Sequence, residues 1–86
     1  MYVAGRAWYM GQVPPLPSIS GQRCIAVLGR FGYRVMRQKG SHVRLACEGR
    51  EPVTVPIHPT LKRGTLRAIL RTTGISVDEF VAALAE

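Results

Sequence analysis

Histidine, cysteine and carboxylate are all scarce in this sequence of 86 residues, which holds two His, two Cys and five Asp or Glu. Cys24 and Cys47 stand apart, outside any CxxC pair or Cys/His cluster of zinc spacing, so no metal site is expected and the thiols read as reduced core residues. No Walker loop, GxGxxG, nucleophile elbow or carboxylate cluster occurs, which argues against nucleotide hydrolysis and metal-dependent nuclease chemistry; no cofactor is expected. Residues 1–17 lack the run of about 7–15 apolar residues that a signal peptide needs, and no stretch is long enough to span a bilayer. A cytoplasmic protein without a membrane partner is the expectation.

Twelve Lys and Arg against those five acids give a formal charge of +7. Such an imbalance fits a polyanionic partner, nucleic acid before an anionic membrane surface, although it also serves plain solubility. The length allows one domain, because a chain this short buries only about two-thirds of its unfolded surface. With 47% hydrophobic and 20% charged residues, a folded core is expected over disorder.

Residues 1–17 carry no clear period, and Pro14, Pro15 and Pro17 bar helix and central strand, so they read as a tail before a domain spanning 18–86. Within it, Trp8, Tyr9 and Met10 fit an aromatic anchor or an upstream translation start equally well. A first helix is expected after a cap at Ser18 or Ser20, with Cys24, Val27, Leu28 and Phe31 on one stripe and Gly32 as its stop. Tyr33–Gln38 and Ser41–Cys47 alternate about Gly40 and predict a hairpin. A loop of Gln38, Lys39 and Gly40 puts Tyr33, Val35, Val43 and Leu45 on the core face and turns His42 and Arg44 outward. Pro52–Pro56 reads as a third strand with Val53 and Val55 inward. A helix over Thr65–Thr73 buries Leu66, Ile69 and Leu70, sets Arg67 and Arg71 on one outer row and stops at Gly74. The S-x-x-E box of Ser76 and Glu79 opens a short last helix expected to bury Val77, Phe80, Val81 and Leu84. The fold class is α+β: a helix, a three-stranded antiparallel sheet, a helix and a short C-terminal helix.

Proton transfer near neutral pH falls to the histidines, whose ordinary pKa suits it. His42 sits on the solvent side of a strand beside a glycine turn, with Arg37, Lys39 and Arg44 close in sequence to hold phosphate and offset developing charge. A strand histidine is also often a plain surface residue. RNA cleavage needs little more, because the ribose 2′-OH supplies the nucleophile while one group removes its proton and another protonates the leaving 5′-oxygen. Lys39 or His58 would complement His42, and the end of the third strand brings His58 toward the Gly40 turn. Equally, His58 fits a loop residue that bonds a carbonyl or caps the approach to the second helix. Lys62, Arg63, Arg67 and Arg71 read as a phosphate-tracking surface or as a solvated helix face.

Taken together, Gly32-Tyr33, then Arg37-Gln38-Lys39-Gly40-Ser41-His42, then Val53-Thr54-Val55-Pro56-Ile57-His58, and Lys62-Arg63-Gly64-Thr65-Leu66 with Ile69-Leu70 form an ordered series. Over about residues 16–84 it resembles the HicA toxin family. Members of that family show a G-F/Y step, an R-x-x-G-S-H hairpin, a V-P-x-H strand end and a K-x-G-T-L helix entry. The resemblance implies a double-stranded-RNA-binding-domain-like fold, an mRNA interferase that cleaves mRNA without metal or ribosome, and a HicB-type antitoxin covering the active histidine. Carried over by position, His42 is the catalytic residue and Gly40 and Ser41 complete its motif. Arg37, Arg44, Lys62, Arg63 and Arg67 are the expected RNA contacts. The family's chain normally starts near Leu16, so the residues before it are a departure. The same fold and charge also suit a non-catalytic RNA-binding module that reads phosphate and 2′-OH shape, or an interaction protein that docks an acidic partner.

Overall fold

The computed structural model describes residues 16–86. Helix α1 (Gly21–Arg30) leads into β1 (Arg34–Lys39), β2 (His42–Cys47) and β3 (Arg50–Pro56), and the chain closes with α2 (Arg63–Thr73) and α3 (Val77–Leu84). The strands form one antiparallel sheet in the order β1-β2-β3. This is the α+β order expected from the sequence, including the short C-terminal helix α3. Trp8, Tyr9 and Met10 lie outside the described residues; Leu16 packs against the core.

Local signals set the helix ends. Ser20 caps α1 by accepting the N–H of Arg23 at 3.0 Å, a contact worth about 1 kcal/mol. At α3 the Ser76 hydroxyl accepts the N–H of Glu79 at 3.0 Å and the Glu79 carboxylate accepts the N–H of Ser76 at 2.9 Å, completing the capping box. The backbone N–H of Ser76, and after it the Ser76 side chain, hold the exposed Glu79 carboxyl below its ordinary pKa. Left-handed Gly74 closes α2.

The core gathers Cys24, Val27 and Leu28 of α1, Val43, Leu45, Val53 and Val55 of the sheet, Leu66, Ile69 and Leu70 of α2, and Phe80 of α3. Phe80 is fully enclosed, and truncating such a side chain to Ala costs about 3–5 kcal/mol. In α3 the buried position beside Phe80 is Ala83, whereas Val81 is only half-buried. α3 packs on α1, and so short a helix covers the core with a narrow stripe. Three arginines are tied into this scaffold. Arg23 donates to the carbonyl of Leu84 at 2.9 Å, Arg30 pairs with Glu86 at 2.9 Å, and Arg50 donates to the carbonyl of Thr73 at 2.8 Å while lying over the Phe31 ring.

Strand register departs from the expectation. Lys39 stands opposite His42, Gln38 opposite Val43 and Arg37 opposite Arg44, so the turn holds only Gly40 and Ser41. Gly40 has φ +60°, a backbone that glycine adopts without a Cβ clash. Beyond Arg37 a bulge at Met36 shifts the pairing, and Val35 stands opposite Leu45. Val35 remains 55% exposed instead of joining the core, because α1 and α2 pack against β3 at the far side of the sheet.

Candidate active site

His42 opens β2, between Lys39 on β1 and Pro56 on β3. Its strand alternates, with Val43 and Leu45 buried and His42 and Arg44 exposed, so the imidazole lies on the sheet face away from the core. The next row on that face is Arg37, Arg44 and Thr54, each directly opposite its neighbour. These side chains, with Gln38, enclose a depression of about 480 Å³.

The bulge decides the composition of this depression. In the expected register Arg37 would face away from His42 and Lys39 would lie in the loop; one extra residue at Met36 flips the rest of β1 and sets both cations beside the imidazole. One further bond fixes the rim and another braces the turn. Arg44 donates from Nη1 to Thr54 Oγ1 at 3.0 Å, and Gln38, opposite Val43, donates from Nε2 to the carbonyl of Gly40 at 3.0 Å. The Ile57 N–H donates to the carbonyl of Ser41 at 2.7 Å, tying the end of β3 to the turn.

Arg37, Lys39 and Arg44 line the depression, and no carboxylate does. Glu48 and Glu51 lie by the opposite turn, between β2 and β3, while Asp78, Glu79 and Glu86 belong to α3 and the chain end. Such segregation of charge leaves a cationic patch around one imidazole. It suits an anion that must exchange a proton.

The other expected site residues divide. Lys62 lines an adjoining groove that shares Arg44 and Thr54 with the His42 depression. Arg63 lines a separate small depression with Leu16 and Leu61, and Arg67 is exposed on α2 outside both grooves. His58 is exposed and does not line the His42 depression; its backbone carbonyl accepts the Gly21 N–H at 2.9 Å. Thr54 and Gln38 were missed from the sequence. Thr54 was legible, since it alternates between inward Val53 and Val55, whereas Gln38 joins the rim only through the turn that the register creates.

A family model described as HicA toxin of bacterial toxin-antitoxin matches residues 21–75. The chain belongs to the HicA toxin family. The match runs from the first residue of α1 to the residue after Gly74, and so includes the sheet, His42 and α2. No curated protein matches the chain. As a HicA toxin, it belongs to a class defined by pairing with an antitoxin. No described helix is long and apolar enough to cross a membrane, and the described residues hold no group of three or more His, Cys, Asp or Glu suited to a metal ion.

Proposed function

We propose that this HicA toxin is a metal-independent endoribonuclease that cleaves mRNA at His42. The observation that carries the reading is the exposed imidazole in a depression lined by three cations and no carboxylate. The substrate supplies its own nucleophile. The 2′-oxygen attacks the adjacent phosphorus, the bond from phosphorus to the 5′-oxygen breaks, and the products are a 2′,3′-cyclic phosphate and a 5′-hydroxyl. His42 exchanges the proton of the reacting oxygen, and Lys39, directly opposite it, acts on the other one. Arg37 and Arg44 hold the phosphate and offset its extra charge, more strongly than lysines would because a guanidinium binds two oxygens at once. Gly40 and Ser41 shape the turn that presents His42, while His58 supports that end of β3 through its backbone carbonyl. Lys62, Arg63 and Arg67 add phosphate contacts further along the strand.

An acidic HicB-type antitoxin neutralises the toxin by covering His42, and the setting is the cytoplasm, where mRNA is found. Incubation of one labelled RNA with the purified protein in excess chelator tests the activity. Cleavage with 2′,3′-cyclic phosphate ends is expected, and DNA of the same sequence stays whole. Binding without turnover would instead mark an RNA-binding module, and cleavage leaving a 5′-phosphate would refute the 2′-OH route.

A further inference from the structure

The groove beside the His42 depression is the larger of the two, at about 690 Å³. Its walls come from β3 and α2. Pro52 and Ala68 contribute apolar surface, Thr54 and Thr65 contribute hydroxyls, and Arg44 and Lys62 are its cations. Arg44 and Thr54 line both cavities, joined by their 3.0 Å hydrogen bond. One guanidinium is therefore held where two adjacent cavities meet.

An apolar surface with cations and hydroxyls but no carboxylate matches one unit of a nucleic acid strand, which has a flat apolar base, a sugar and an anion. The volume lies within the range of about 300–1,000 Å³ that takes a small ligand. A base paired in a duplex keeps its faces stacked and cannot lie on such a surface, whereas a single strand can splay one out. Continuity with the His42 depression fixes which nucleotide this is. We propose that the groove between β3 and α2 binds the nucleotide next to the scissile phosphate in a single RNA strand, with its base over Pro52 and Ala68 and its phosphate held by Arg44 and Lys62. The inference rests on the ribonuclease reading for the word scissile, and on the groove alone for RNA binding.

It follows that the enzyme prefers single-stranded sites and gains rate from a neighbour on one side of the cleaved bond. Ala68→Glu tests this. Ala68 is an exposed helix position, Glu is a good helix former, and the new carboxylate fills and charges the groove without touching the core. Circular dichroism confirms folding. Wild type is compared on a dinucleotide and on trinucleotides extended at the 5′ or the 3′ side. One extension should raise kcat/KM at least tenfold, and Ala68→Glu should bring that ratio near one.

A second measurement separates this proposal from the ribonuclease reading. An uncleavable 2′-O-methyl pentanucleotide, followed by fluorescence anisotropy, should bind Ala68→Glu at least fivefold more weakly than wild type and bind His42→Ala nearly as well as wild type. If wild type binds the pentanucleotide but cleaves nothing, the catalytic reading falls and the groove is judged on anisotropy. Unchanged binding by folded Ala68→Glu overturns the groove, as does equal competition by a duplex of the same sequence. Loss of antitoxin binding with RNA binding intact assigns the surface to the protein partner and overturns it too.

Discussion

The backbones of Gly21 and Pro56 meet so closely that a Cβ on Gly21 would overlap the Pro56 carbonyl. This junction clamps the start of α1 against the end of β3, one pairing step from His42. Gly→Ala inside a helix is ordinarily stabilising by about 0.5–1 kcal/mol, and Gly29, with open space around its Cβ position, should follow that rule or gain a few tenths near the helix end. Gly21→Ala should reverse the sign and cost about 1–3 kcal/mol or more. Urea midpoints of the two variants check this, and equal shifts in one direction would refute the clamp.

His42→Ala should lower the cleavage rate by on the order of 10²- to 10⁴-fold. The fold should survive, because the side chain is exposed and outside the core. His58→Ala should lose far less, since its role lies in a backbone carbonyl that any residue carries. Rates on one labelled RNA, read beside thermal melts, rank the two histidines. Activity of folded His42→Ala within a few-fold of wild type would remove the assignment.

Thr54→Val keeps the strand and removes only the hydroxyl that fixes Arg44. A single hydrogen bond of about 0.5–1.5 kcal/mol translates into a roughly 2- to 10-fold loss of kcat/KM. Stability should stay within about 0.5 kcal/mol because both partners are exposed. A large fall in melting temperature with normal activity per folded molecule would show that the bond serves the scaffold and not the site.

Alkaline pH should weaken the fold through two buried acids. Burial pushes the Cys24 thiol from 9.0 up to about 12 and also raises the Tyr33 phenol, which donates to the Glu51 carbonyl at 2.7 Å. For Cys24 the unfolded chain gives up its proton first as pH passes 9.0, so its stabilisation is complete below that pH and is lost progressively up to about 12. Unfolding free energies across this range should fall, and Cys24→Ala should show a shallower slope from a lower starting stability. Thiol labelling of native protein should reach half-buried Cys47 before fully buried Cys24. Equal fast labelling would contradict that burial.

Association with the antitoxin should weaken as salt rises, because a toxin of formal charge +7 captures an acidic partner through fields that salt screens. Titrations at several ionic strengths, with the partner co-expressed and purified, measure the slope. Salt-independent affinity would point to an apolar interface, for which exposed Val35 and Met36 on the edge strand β1 are the obvious seat.

The local rules written into single residues were legible in the sequence. Ser20, Ser76 with Glu79, and Gly74 announced the helix ends, alternation turned His42 and Arg44 outward, and four short motifs in order pointed to the family. What the chain could not announce is where β1 lies relative to β2. A turn at Gly40 is compatible with loops of two or three residues, and alternation alone favoured the register that put Val35 in the core. The observed sheet instead inserts a bulge at Met36, leaves Val35 uncovered and swings Arg37 and Lys39 to the imidazole. Side chains of a strand alternate with a period of two, so a single extra residue reverses every face beyond it. That choice depends on which strands the helices cover, a contact between elements distant in sequence. Hence His42 and its outward neighbour Arg44 were marked in the sequence, but Arg37 and Lys39, named there only as neighbours along the chain, were set beside the imidazole by the tertiary structure.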